Sequence, residues 1–204
     1  MVHEIFVVDS GSEDDTIVMA KQAGAMVLQS PVRSRAAQMN VGARQATGSV
    51  LYFVHADVKL LPSFVDDIQA AVNQGFDSGC FRYIFDSRKL LLKLNAYFTR
   101  FDRMLMMRGG DQTLFIKQEV FKALHGFDEY YSIMEDYDFI IRLRKNNSFK
   151  VIQKDVIVSA RKYETNSWLR VQFANLVIFT MFRLKRLPES MRMMYKKLLN
   201  YRIP

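Results

Sequence analysis

The chain has 204 residues, 50% of them hydrophobic, which is enough for one sizeable buried core and excludes a disordered chain. Its single cysteine, Cys80, excludes an internal disulfide and a cysteine-built metal cage, and fits a reducing, cytoplasmic setting. The net charge of +8 is carried by residues 160–204, where ten Lys or Arg stand against Glu164 and Glu189, so a neutral body is followed by a basic C-terminal region.

The opening residues lack an export-signal pattern and read almost at once as a strand, 5–8. Turn-forming Asp9-Ser10-Gly11-Ser12 follows, then a helix over 16–23 stopped by Gly24, and a strand at 26–28. Residues 33–46 form a helix with small residues on one face (Ala36, Ala37, Gly42, Ala43). The apolar run 50–54 is a buried strand ending at His55-Ala56-Asp57. Ser63 and Pro62 introduce a helix over 64–73, Gly75 closes it, and 79–85 alternates as a strand. The stretch 89–107 reads as helical, 113–116 as a short strand, 119–124 as a helix, and Gly126-Phe127-Asp128 as a turn. A helix over 136–145 then opens with the acids of Glu135-Asp136-Tyr137-Asp138.

In open α/β sheets, ligands gather beyond the carboxyl ends of strands. Two such ends carry acids here: Asp9, suited to accepting hydrogen bonds from a base or ribose, and Asp57, suited to a divalent cation between diphosphate oxygens. Each also has a plain structural reading, Asp9 as a turn residue and Asp57 as a helix cap or Asx turn. His55 fits a metal ligand, although a lone histidine beside a core strand more often serves as a hydrogen-bonded structural residue. Glu135 and Asp136 are well explained as acids at the positive end of a helix, and one of them also suits a general base facing an acceptor hydroxyl.

Several segments in order carry a family resemblance. Val7-Val8-Asp9-Ser10-Gly11-Ser12, Ser34-Arg35-Ala36-Ala37-Gln38-Met39-Asn40 and Val54-His55-Ala56-Asp57 resemble the family 2 glycosyltransferases of the GT-A fold. So do Gly110-Asp111-Gln112-Thr113-Leu114-Phe115-Ile116, Gly126-Phe127-Asp128 and Met134-Glu135-Asp136-Tyr137-Asp138, and the likeness spans residues 4–165.

The resemblance implies an α/β, GT-A-like open mixed, mostly parallel sheet flanked by helices. It also implies Asp9 and Ser10 against the nucleoside, with Arg35, Gln38, Asn40 and His55 on the donor side. Asp57 would hold Mg2+ or Mn2+ on the diphosphate, and His55 takes the place of the first acid of an Asp-x-Asp motif. Asp136 would be the base with Glu135 beside it, Asp111 and Gln112 would face the sugar or acceptor, and Arg161 or Lys162 would neutralise the departing diphosphate. The family usually opens with a strand, a Thr/Pro-x-x-Asn-Glu loop and a helix ahead of the segment seen here. The expectation is an N-terminally truncated domain over 1–165 with unpaired strand edges and an incomplete base pocket.

The basic amphipathic helical tail, 166–204, contains an apolar run at 168–187 that is too short to span a bilayer. It suits an anionic membrane surface or a helix packed on the sheet with a solvated basic end; no nucleic-acid motif accompanies the charge. The expectation is an inverting, metal-dependent transferase that moves a sugar from a nucleotide-sugar donor to a hydroxyl acceptor. It would be cytoplasmic and peripheral on the inner face of the membrane, and compatible with a homo-oligomer. A nucleotidyltransferase and a membrane-associated binding module without activity are the competing readings.

Overall fold

The computed structural model describes residues 2–101 and 113–199. Its elements run β1 (Phe6–Asp9), α1 (Thr16–Gln22), β2 (Met26–Gln29), α2 (Arg35–Gln45), β3 (Val50–Phe53), β4 (Val58–Lys59), α3 (Phe64–Asn73), β5 (Ser78–Phe85) and α4 (Leu90–Tyr97), which ends in a 3-10 turn at Phe98–Arg100. They continue with β6 (Leu114–Lys117), α5 (Gln118–Ala123), α6 (Glu135–Leu143), β7 (Phe149–Val158), α7 (Lys162–Thr165), α8 (Trp168–Arg183) and α9 (Pro188–Leu198).

Five strands form a mixed sheet in the order β3-β6-β5-β7-β4, and β1 and β2 form a separate parallel ribbon. Pairing is parallel at β5–β7 and antiparallel at β3–β6, β6–β5 and β7–β4. The period-two alternation of strands sorts the core into two layers. Cys80, Leu114, Ile116 and Val151 pack with Ala36 and Ala43 of α2 and with Phe139, Ile140 and Leu143 of α6. Their neighbours Phe81, Phe115 and Ile152 point the other way, to Ile68 and Ala71 of α3. Each fully buried side chain of this size contributes about 1.5–3 kcal/mol. Gly79 lies where the sheet is tightest, since a β-carbon there would run into the Lys150 carbonyl and the Phe115 ring.

Among the described residues β1 bonds only to β2, and β3 only to β6, so both strands show an unpaired edge. The ribbon is tied to the body elsewhere. The Thr47 amide and hydroxyl donate to the Glu4 carboxylate at 2.8 and 3.0 Å, and Gln38 Nε2 donates to the Val8 carbonyl at 2.9 Å.

Pattern reading assigns no strand to 149–158, yet β7 is the longest in the sheet. Its alternation is broken by Gln153-Lys154-Asp155, where the β5–β7 register shifts, and the ion pair of Arg82 with Asp155 (2.9 Å) sits at that shift. The expected helix over 89–107 is helical as far as Arg100; residues 102–107 lie outside the described residues. The basic region is two helices that turn back at Lys185, whose φ is +53°, with Pro188 opening α9. They are not detached from the body. Val171 and Ala174 of α8 pack with Leu92 and Tyr163, and Ile178 and Met191 pack with Met134.

Candidate functional site

At the end of β1, Asp9 is buried and accepts hydrogen bonds from the Gly11 amide (2.7 Å), the Ser12 amide (3.1 Å) and the Ser12 hydroxyl (2.5 Å). These donors, the Ser12 hydroxyl foremost, hold its carboxyl below the usual range. Asp9 therefore shapes the loop that carries Ser10, as its turn reading anticipates. Across from it, Arg35 and Gln38 lie in the first two turns of α2, Arg35 exposed and Gln38 half-buried against β1.

Asn40, expected on the donor side, is committed to the protein interior. Its Nδ2 donates to the Phe127 carbonyl and to Glu129 Oε1, both at 2.9 Å, and its Oδ1 accepts from the Phe127 amide at 3.0 Å. Gly126 is held at φ +67°, and a β-carbon there would stand 2.6 Å from Asn40 Oδ1. Arg142 completes the clamp, donating to the carbonyls of Leu124 (2.7 Å) and Gly126 (3.0 Å) while pairing with Asp138 at 2.8 Å.

That clamped loop leads into α6. Met134 enters the helix in the left-handed region, φ +70°, and Glu135 and Asp136, as successive helical residues, face different ways. Glu135 is 1% exposed, its Oε1 lies 3.1 Å from Arg35 Nε, and its Oε2 is buried without a hydrogen-bond partner. Burial, reinforced by the Asp136 charge and opposed by Arg35, pushes its carboxyl up to about 7. Glu135, expected beside a base at Asp136, is thus buried, whereas its neighbour is not. Asp136 is half-buried, with Oδ1 accepting from the Tyr137 amide at 2.7 Å.

Asp136 and His55 line the same cleft, together with Phe53, Thr113 and Phe127. Its inner volume is about 20 Å³, room for roughly one water, so it forms the floor of a site rather than a sugar pocket. Thr113, which lines the cleft and is buried at φ +62°, and Met134, two residues before Asp136, are both non-glycine residues held in the left-handed region, a strain that concentrates at functional sites. Residue type signals neither.

Asp57 is exposed immediately before β4, whose Val58 pairs with Val158 of β7. The end of β7 therefore lies beside the start of β4, and Arg161 follows three residues after Val158, at the start of α7. Asp86, which sequence reasoning missed, fixes this turn: its Oδ1 accepts from the Ala160 amide at 2.7 Å. Lys162 lies against the Tyr195 ring. Asp111 and Gln112 lie outside the described residues.

Among the described residues no three His, Cys, Asp or Glu gather as a metal cage. The exposed carboxylate of Asp57 fits a different arrangement, in which a hard cation takes one protein oxygen and completes its shell with substrate phosphates and water. The residues present fit such a cation.

The family model described as glycosyl transferase family 2 matches residues 1–127. Among solved structures, the chain is similar to the mannosyltransferase PcManGT from Pyrobaculum calidifontis in complex with GDP-Man and Mn2+, at 16% identity and a TM-score of 0.59, over 86% of this chain and 52% of that one. It is similar to S. aureus TarS 1-349, at 17% identity and a TM-score of 0.62, over 97% and 61% of the two chains. It also resembles glucosyl-3-phosphoglycerate synthase from Mycobacterium tuberculosis in complex with Mn2+, uridine-diphosphate and glucosyl-3-phosphoglycerate, at 19% identity and a TM-score of 0.56, over 78% and 60%. These likenesses establish the GT-A fold, and the chain spans 52–61% of the length of those structures. No curated protein matches the sequence.

Proposed function

The chain belongs to glycosyl transferase family 2, and from this premise we propose that it moves a sugar from a nucleoside-diphosphate donor to a hydroxyl acceptor with inversion at the anomeric carbon. The observation that carries the reading is the shared cleft of His55 and Asp136, with Asp57 following His55 in the loop between β3 and β4.

Asp136 takes the proton from the acceptor hydroxyl as that oxygen attacks the anomeric carbon and the bond to the diphosphate oxygen breaks. A single base on the acceptor side gives inversion. Arg161 balances charge on the departing diphosphate from the neighbouring strand end. Asp57 holds a divalent cation, Mg2+ or Mn2+, which when bound supplies positive charge to the diphosphate. Asp9 keeps the loop over Ser10 in shape for the nucleoside. Arg35 is aimed by Glu135, which acts as a positioning residue rather than a second base. In this reading the enzyme is cytoplasmic and peripheral on the inner face of the membrane, supported by the presence of a single, buried cysteine, Cys80, and by the basic C-terminal region.

Thermal unfolding across a panel of nucleoside diphosphates and nucleotide sugars, with and without Mn2+, tests the reading, because a ligand bound only by the folded state raises the melting point. A metal-dependent rise with one donor, followed by release of the nucleoside diphosphate when an acceptor is added, is the expected result. Pyrophosphate as the product, or no rise with any donor, overturns it.

A further inference from the structure

Helix α8 is apolar on two sides. Val171, Ala174 and Ile178 are buried against the body, while Leu169, Phe173 and Leu176 stand 73%, 57% and 62% exposed. The exposed set recurs at helical spacing and runs on through Thr180 to Leu184, so it forms one stripe along the helix. The stripe ends at the tip of the α8–α9 hairpin, where Leu184 and Leu187 are 63% and 64% exposed and alternate with exposed Arg183, Lys185 and Arg186. At its other end, Leu90 and Leu91 of α4 face Trp168 across a groove, which widens the apolar surface. Contiguous apolar surface of this kind marks a docking site.

The surrounding charge selects the occupant. Residues 160–204 carry a net +8, and of the two acids Glu189 lies 3.5 Å from Arg192. A second copy of this chain would bring like charge against like charge. A nucleic acid would leave the leucines without a partner. An anionic bilayer meets both demands, with headgroups for the cations and an acyl boundary for the leucines. The hairpin lies on such a surface rather than crossing it. The 16 residues of α8 extend about 24 Å, short of the roughly 30 Å hydrocarbon core, and among the described residues no helix is long and apolar enough to span a membrane.

We propose that the α8–α9 hairpin docks this protein on an anionic phospholipid surface through Leu184, Leu187 and the cations between and beside them. The hairpin is also packed against the loop that carries the acids. Met134, next to Glu135, shares a cluster with Ile178 and Met191, and the rings of Tyr137 and Tyr131 lie 5.8 and 5.7 Å from those of Phe179 and Phe182. Docking thus fixes the height of Asp136 above the bilayer. The corollary, that the acceptor hydroxyl is met at the membrane on a lipid-borne molecule, rests on the transferase reading; the docking itself does not.

Flotation of the full chain with phosphatidylcholine vesicles, with and without added phosphatidylglycerol, provides the test. Binding is expected only with phosphatidylglycerol and is expected to weaken as salt rises. Leu184→Ser with Leu187→Ser lowers partitioning by on the order of tenfold or more per residue. Arg183→Gln, Lys185→Gln and Arg186→Gln lower it by roughly fivefold per charge. All five side chains are exposed, so the melting point and its rise with donor should match wild type. Absence of flotation at low salt, or flotation unaffected by both variants, overturns the docking. So does a solution dimer, seen by light scattering, that the leucine variant dissolves while vesicle binding persists. Flotation without any donor response overturns the transferase reading and leaves the docking standing.

Discussion

Arg35 and Glu135, the first residues of α2 and α6, meet at 3.1 Å and join the two helix starts that frame the candidate site. The pair is lopsided, with Arg35 exposed and Glu135 buried with one oxygen unpartnered. An ion pair of this kind orients its exposed member more than it stabilises the fold, because desolvation of the buried carboxylate offsets the attraction.

The Glu135 carboxyl lies near 4.5 when free and about 7 in the folded protein. The folded state therefore binds this proton more tightly than the unfolded chain. Its contribution to stability is full below about pH 4.5 and is lost as pH rises through 7. The size of that loss is on the order of 3 kcal/mol. Glu135→Gln mimics the protonated form, so its melting point should fall less than that of wild type between pH 5 and 8. Parallel curves would refute the assignment.

Asp136→Asn keeps the shape of the cleft and removes the proton acceptor. Turnover should fall by on the order of a hundredfold or more, while the donor-induced rise in melting point is retained. Turnover at the wild-type rate rules out Asp136 as the base.

Asp57→Ala should abolish the dependence of donor binding on Mn2+ without lowering the melting point of the free protein, since Asp57 is exposed. Arg161→Ala should weaken donor binding at every metal concentration. Isothermal titration with and without Mn2+ separates the two. Equal behaviour of the two variants would argue against a division of labour between metal holder and diphosphate cation.

Asn40→Ala leaves the buried Phe127 amide without its acceptor and should cost about 1–3 kcal/mol. Gly126→Ala forces a side chain into the left-handed region against Asn40 Oδ1 and should cost about 1–3 kcal/mol as well. The two share one contact, so the double variant should lose less than the sum. Strict additivity in urea unfolding would show that the contact does not couple them.

The strongly periodic segments were readable in advance: the helix over 64–73 matches α3 residue for residue, and the strand at 50–54 matches β3 within a residue, although it lies at the sheet edge with only Leu51 buried. The ordered motifs also identified the family. Strand β7 escaped because its polar centre, at the register shift, erases the alternation on which a strand reading depends. The contacts of Asn40 and Glu135 escaped for a different reason. Each forms its decisive contact far along the chain, Asn40 with Phe127 and Glu135 with Arg35, and residue type carries no information about such a partner.

Local physics thus set the elements, the acids at strand and helix ends, and the uneven charge, since each depends on residues a few positions apart. Tertiary structure decided which acid is exposed and which is buried, that β7 ends beside the start of β4, next to Asp57, and that α8 turns an apolar face outward. Those outcomes depend on which surfaces remain uncovered after the sheet and helices pack, a property of the whole chain in three dimensions.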